Sequence, residues 1–182
     1  MESDDDDTLL ERYRHGDREA FAELVVRYRK PIYNAAFWIL RRSEDASDIT
    51  QIVFLKVVER LDDYNPQYKF FSWLYRIAVN ESLNWQRRQS HEDALPEDFD
   101  APDFDTATPE QQLDQNQRAR QLQVAMMSMS VNDRTVLTMR HFAELSYDDM
   151  AMVLQLDVKT VKSRLFDARA RLRKLLAKQG MH

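Results

Sequence analysis

Glycine occurs only twice in the 182 residues, at Gly16 and Gly180, and proline five times. A chain built on β-sheet needs many tight turns, and tight turns draw on glycine and proline. This one is instead rich in Leu, Ala, Arg, Gln and Glu, the residues that lose least on entering a helix. The expected fold class is all-α, with length enough for one medium domain or two small ones.

The spacing of apolar residues places the helices. A first piece covers residues 8–15, and Gly16-Asp17 ends it. The residues before it, 1–7, are acidic and expected to be disordered. Phe21, Leu24, Val25, Tyr28, Ile32, Ala35, Ala36 and Ile39 then recur at helical intervals. Pro31 lies inside that pattern and predicts a kink or a short break. Ser43 is the expected N-cap of the next helix, which buries Ile49, Val53, Val57 and Leu61. Residues 62–71 read as a loop, and Ser72 as the cap of a helix ending in Gln86-Arg87-Arg88.

From about 90 to 108 periodicity stops, and Asp, Glu, Pro and Ala dominate. Such a segment is a flexible acidic linker, extended by its own charge. Beyond it Pro109 suits a first helical position, and a helix runs on through Leu113, Leu122, Val124, Ala125 and Met126. Asn132 is placed as the cap of a helix holding Val136, Leu137 and Met139. Ser146 and Asp149 have capping-box spacing and open a short helix, 147–154. Gln155-Leu156-Asp157 makes a tight turn. Asp157 caps the last helix, which buries Val158, Val161, Leu165, Ala168 and Leu172 and exposes Lys159, Lys162, Ser163, Phe166 and Arg169. The chain therefore divides into two small helical domains, 8–90 and 110–178, joined by the linker 91–109.

The net charge of −5 hides a segregation. Asp4 to Asp7 and the linker are acidic, whereas the end of the chain is basic. Charge arranged this way points to partners of opposite sign at different places. The absence of cysteine rules out disulfides and thiolate chemistry. The four histidines, at 15, 91, 141 and 182, are scattered and show no metal-ligand spacing. Two glycines cannot make a glycine-rich phosphate loop. The reading is a non-enzyme without metal or cofactor. It shows no secretion signal and no apolar run of membrane length, so a cytoplasmic location with no membrane partner is expected.

Two constellations carry chemistry. Trp73, Arg76, Asn80 and Asn84 fall three, four and four residues apart, on one face of one helix. An aromatic ring, a guanidinium and two amides can stack on unpaired bases, pair with phosphate and hydrogen-bond to base edges. The preceding loop adds Tyr64, Asn65, Lys69, Phe70 and Phe71. The other reading is that these aromatics, like Trp38 and Trp85, pack inward. The second constellation is a short helix, a three-residue turn and a basic helix, the order of a helix-turn-helix. Lys159, Thr160, Lys162, Ser163, Arg164 and Phe166 occupy the first turns of its second helix, with Arg169 following. The bland counterpart is a helical hairpin with a solvated basic face.

These motifs resemble the extracytoplasmic-function group of bacterial sigma-70-type sigma factors. Asp45-Ala46-Ser47-Asp48-Ile49-Thr50-Gln51 is similar to the family's Asp-Ala-Glu-Asp-hydrophobic-Thr-Gln motif. The run Phe71 to Asn80 resembles the promoter-melting helix, and Thr160-Val161-Lys162-Ser163-Arg164 with Ala168-Arg169 the region 4 helix-turn-helix. The resemblance implies that 8–90 binds the β′ clamp helices of core RNA polymerase through Asp45, Asp48, Thr50 and Gln51. It implies that Tyr64, Lys69, Phe70, Trp73, Arg76, Asn80 and Asn84 hold the unwound −10 strand. It further implies that 110–178 meets the β flap and reads the −35 element as duplex promoter DNA, through Lys159, Thr160, Lys162, Ser163, Arg164, Phe166 and Arg169. The linker would thread through polymerase. Four motif positions depart from the family: Gln155 and Lys159 stand where many members carry glycine, which implies a left-handed Gln155, and Ser47 and Ile52 stand where carboxylates are usual. Phosphorylation of Thr50, or alternatively of Ser47, adds about −1.5 to −2 charges. In this the chain resembles a subgroup that a Ser/Thr kinase switches on. The alternatives are control by an anti-sigma factor, and a non-sigma helix-turn-helix regulator with an α/β receiver.

Overall fold

A computed structural model describes residues 4–89 and 109–178. The expected linker, all but Pro109 of it, and residues 1–3 of the acidic start lie outside the described residues. Among the described residues every regular element is a helix. The fold is all-α, with one helical group before the linker and one after it.

The first group holds α1 (Asp6–Arg14), α2 (Arg18–Leu40), α3 (Ser43–Arg60) and α4 (Phe70–Gln89). The acidic start is not simply solvated. Asp5 caps α1 by accepting from the Thr8 N–H at 2.8 Å. Asp6 pairs with Arg27 at 2.6 Å and accepts from the Tyr28 hydroxyl at 2.5 Å, tying α1 to α2. Gly16 sits at φ +96, a left-handed position that suits glycine, and Asp17 caps α2. Pro31 stays inside a continuous α2, so the expected break does not occur. Proline costs an N–H and crowds the preceding turn. Here its neighbours Ile32, Ala35 and Ala36 are fully buried, and that packing holds the helix through it.

Ser43 is the first residue of α3 rather than its cap. Arg42 takes the cap position without a side-chain hydrogen bond. A 3-10 turn, Leu61–Asp63, shortens the expected loop, and α4 starts at Phe70. Ser72 therefore lies within the helix, buried, and caps nothing. Leu24, Ile32, Ile49, Val53, Leu74 and Ala78 form the centre of this group. Full burial of each large aliphatic side chain contributes about 1.5–3 kcal/mol.

The second group holds α5 (Pro109–Met127), α6 (Val131–His141), α7 (Tyr147–Leu154) and α8 (Val158–Lys178). The cap of α6 is Ser130, whose Oγ accepts from the Asp133 N–H at 3.2 Å; Asn132 lies inside the helix, exposed. Ser146 caps α7, and Gln155 turns the chain at φ 54, ψ 45. Asp157 accepts from the Thr160 N–H at 2.7 Å at the start of α8. Met126, Leu137, Met139, Met150, Val161 and Leu165 fill the centre, and this apolar cluster is continuous with that of the first group. The two groups meet where the end of α2 lies against α6 and where α4 lies against α7.

Candidate nucleic-acid interface

The polar face of α4 opens on a cavity of about 300 Å³. Trp73, Arg76 and Asn80 line it together, as their spacing requires. Asn65 and Tyr68 of the preceding loop and Lys56 and Arg60 of α3 complete the polar wall, and Met152 of α7 closes one side. Lys56 pairs with Glu81 at 2.6 Å, and Arg60 with Asp63 at 2.9 Å. The result is a groove with two aromatic rings, two amides and three cations, of which Lys56 and Arg60 are paired with the lining carboxylates Glu81 and Asp63 while Arg76, among the described residues, is not, a chemistry suited to a single nucleotide.

Not every expected residue reaches it. Tyr64 and Phe70 are 6% and 2% exposed and lie beneath the groove. Their rings stand 5.5 and 5.9 Å from Trp73, so they support the indole rather than offer a surface. The Tyr64 hydroxyl donates to the Tyr68 carbonyl at 2.7 Å, which shapes the loop. Burial, with Asp7 and Asp6 close by, pushes its phenol up to about 12. Lys69 and Asn84 are exposed outside the cavity. Trp38 packs inward as expected, and Trp85 is half-buried. Sequence reasoning missed Lys56, Arg60 and Tyr68. The four-residue spacing of Lys56 and Arg60, each just before a buried position, Val57 and Leu61, is the available signal.

On α8 the side chains of Lys159, Lys162, Ser163, Arg164 and Phe166 are exposed. Phe166 at 67% is an apolar ring held in water on a basic face, which a solvated hairpin has no need of. Lys162 lies 5.2 Å over the Tyr147 ring, which orients it. Thr160 and Arg169 are engaged within the domain. The Thr160 hydroxyl donates to Asp157 at 2.7 Å, and Arg169, half-buried rather than exposed as expected, donates to His141 at 3.1 Å. Burial, then Arg169 and Arg140, lower the pKa of that histidine. The open cleft beside α8 is lined by Arg164, Arg171 and Lys174.

On α3, Asp48 and Gln51 are exposed, and they continue into Leu55 and Val58, exposed at 63% and 45%. These four fall three, four and three residues apart and make one stripe. Leu55 points outward although it directly follows the buried Val53 and Phe54. Asp45 and Thr50 are buried, and Ser47 is exposed. Among the described residues no cluster of His, Asp and Glu could hold a metal ion, and no helix is long and apolar enough to cross a membrane.

Residues 24–92 match the family description of Sigma-70 region 2, and residues 119–172 that of Sigma-70, region 4. The chain is 32% identical to the RNA polymerase sigma-H factor of Pseudomonas aeruginosa, over 97% of its own length and 96% of that protein's. It belongs to the extracytoplasmic-function sigma factors of the sigma-70 family. The ECF RNA polymerase sigma-E factor of Haemophilus influenzae is 33% identical over 90% of the chain and 91% of that protein. The solved structure of CnrH in complex with the cytosolic domain of CnrY superimposes with a TM-score of 0.69 at 27% identity, covering 96% of this chain and 99% of that one. As a sigma factor the chain serves promoter-specific transcription initiation. The receiver-type alternative needed alternating strands in 8–90, and the described residues there are helical.

Proposed function

We propose that this sigma factor docks on the β′ clamp helices of core polymerase through α3 and holds the unwound −10 strand in the α4 groove. Its α8 reads the −35 duplex, with the domain 110–178 meeting the β flap and the linker 91–109 threading between. The observation that carries this is the stripe Asp48, Gln51, Leu55 and Val58. It places two unpaired apolar side chains in water beside the family's motif, one helix away from the groove of Trp73, Arg76 and Asn80. A flipped base costs a few kcal/mol, which stacking on Trp73 and contacts from Arg76 and Asn80 offset. The work is done in the cytoplasm, without a cofactor.

The turn of α3 that lacks two carboxylates is the place for control by a Ser/Thr kinase. Thr50 is 6% exposed, and its Oγ1 donates to the Ala46 carbonyl at 2.7 Å. A kinase reaches Ser47 on the folded helix, and Thr50 only after α3 opens. Control by an anti-sigma factor is the competing reading. Transcription from a cognate promoter is to be compared in cells for wild type, Ser47→Ala, Thr50→Ala and Ser47→Asp. Kinase control predicts loss in one alanine variant and, where that variant is Ser47→Ala, kinase-independent activity in Ser47→Asp. Full activity of both alanine variants would refute it. The docking reading is tested by binding of Leu55→Asp to core polymerase, which should fall below detection; unchanged binding would overturn it.

A further inference from the structure

A small cavity of about 190 Å³ lies at the seam of the two helical groups, where α2, α4 and α6 come together. It shares no residue with the groove of α4 or with the cleft beside α8. Arg134 of α6 holds this seam. Its Nε and Nη2 donate to the Trp38 and Ile39 carbonyls at the end of α2, at 2.7 and 3.0 Å.

The buried end of the cavity is polar and unsatisfied. Thr138 is 2% exposed, and among the described residues its Oγ1 has no hydrogen-bond partner. A helical threonine ordinarily donates to the carbonyl four residues back, as Thr135 does to Val131 and Thr50 to Ala46, both at 2.7 Å. Thr138 does not. Tyr75, 1% exposed, lines the same cavity. Burial alone raises its phenol, and no hydrogen bond contributes. An unpaired buried hydroxyl is costly, and two lining one cavity mark a place where a further molecule supplies the partner.

The other walls describe that molecule. Ala35 and the Phe142 ring, which rests on Trp38 with ring centres 5.4 Å apart, make the sides apolar. Lys30, exposed, and Asn34, half-buried, stand one turn apart on α2 at the mouth. Lys30 makes no ion pair among the described residues. A dry cavity of about 150 Å³ holds one benzene ring, so this one admits a six-membered ring with short substituents. We propose that the cavity is a ligand site for a small aromatic carboxylate that carries a hydroxyl opposite its carboxylate. The hydroxyl lies between Thr138 and Tyr75, donating to one and accepting from the other. The ring packs on Ala35 and Phe142, and the carboxylate meets Lys30 and Asn34. A water molecule in the cavity satisfies the hydroxyls but leaves the apolar walls and the cation at the mouth unused.

The probe is 4-hydroxybenzoate, titrated into the full chain at neutral pH and followed by nuclear magnetic resonance. A ligand of this size should bind saturably with a dissociation constant of about 1 mM or below, and should raise the melting temperature. Benzoate and phenol each lack one polar end, and each should bind about threefold to tenfold more weakly. Thr138→Val exchanges the hydroxyl for a methyl of the same shape. It should weaken 4-hydroxybenzoate by a like factor, leave benzoate unchanged, and not lower the urea midpoint, because no hydrogen bond is lost. Tyr75→Phe repeats the comparison where Thr138→Val folds poorly. Lys30→Ala, at an exposed side chain, should weaken both carboxylates and leave phenol unchanged. No saturable binding up to about 10 mM, the result if water alone fills the cavity, would overturn the proposal. Equal affinity of wild type, Thr138→Val and Lys30→Ala for 4-hydroxybenzoate would overturn it too, by placing the ligand elsewhere on the chain.

Discussion

Gln155 sits at φ 54 in the turn between α7 and α8, where the chain must pass through left-handed geometry. A side chain there costs about 1–2 kcal/mol, and glycine gives back part of that in entropy. Gln155→Gly should stabilise the protein by about 0.5–1 kcal/mol, visible as a small rise in melting temperature, without changing strand binding. A second residue-scale effect belongs to the tyrosines. Burial, then the hydrogen bond its hydroxyl donates to Asp6, raises the phenol of Tyr28, burial alone raises that of Tyr75, and that of Tyr64 goes to about 12. A phenol ordinarily ionises near 10, so the folded form binds more protons than the unfolded form in the window from about 10 to 12. Stability is full below that window and falls as pH rises through it. In a spectrophotometric titration these phenolates should appear only with unfolding. Smooth ionisation of all seven tyrosines near pH 10 with the fold intact would contradict their burial.

At the scale of elements, the helices were legible wherever an apolar stripe repeats, because each buries one face against its neighbours. Their ends were less so. Ser130 has the same Ser-x-x-Asp spacing to Asp133 that was read correctly at Ser146, yet Asn132 was taken as the cap. Ser72 looked like a cap because it precedes a run of helix formers. Its burial under α7 decides otherwise, and nothing local encodes that contact. The α4 stripe was legible as a stripe, but which aromatics face out was not. Phe70 packs against Tyr28 of α2, and Tyr64 and Phe70 pack against each other and against Trp73. Two substitutions separate structure from function on these elements. Arg76→Ala and Phe166→Ala remove side chains that hold no part of the core. Each should leave stability within about 0.5 kcal/mol in urea unfolding. Arg76→Ala should weaken single-strand binding, and Phe166→Ala duplex −35 binding. A stability loss of several kcal/mol in either would mean that the residue is structural.

The whole molecule is joined by contacts that no sequence pattern announces. Arg134 reads as an ordinary polar position of α6, yet it caps a helix 95 residues away. Removing it leaves buried carbonyls unpaired, so Arg134→Met should cost about 2–4 kcal/mol in urea unfolding. A cost below about 0.5 kcal/mol would show the seam to be loose. Above the seam lies the claim on which the rest depends, that three surfaces of one chain act together on polymerase and promoter. Run-off transcription tests it most directly, with purified core polymerase, promoter-bearing DNA, and the chain added or withheld. The chain should direct initiation from defined start sites preceded by a shared −35 and −10 pair, and Leu55→Asp should abolish it. Specific binding of the chain alone to duplex DNA, with no initiation when core polymerase is present, would contradict it.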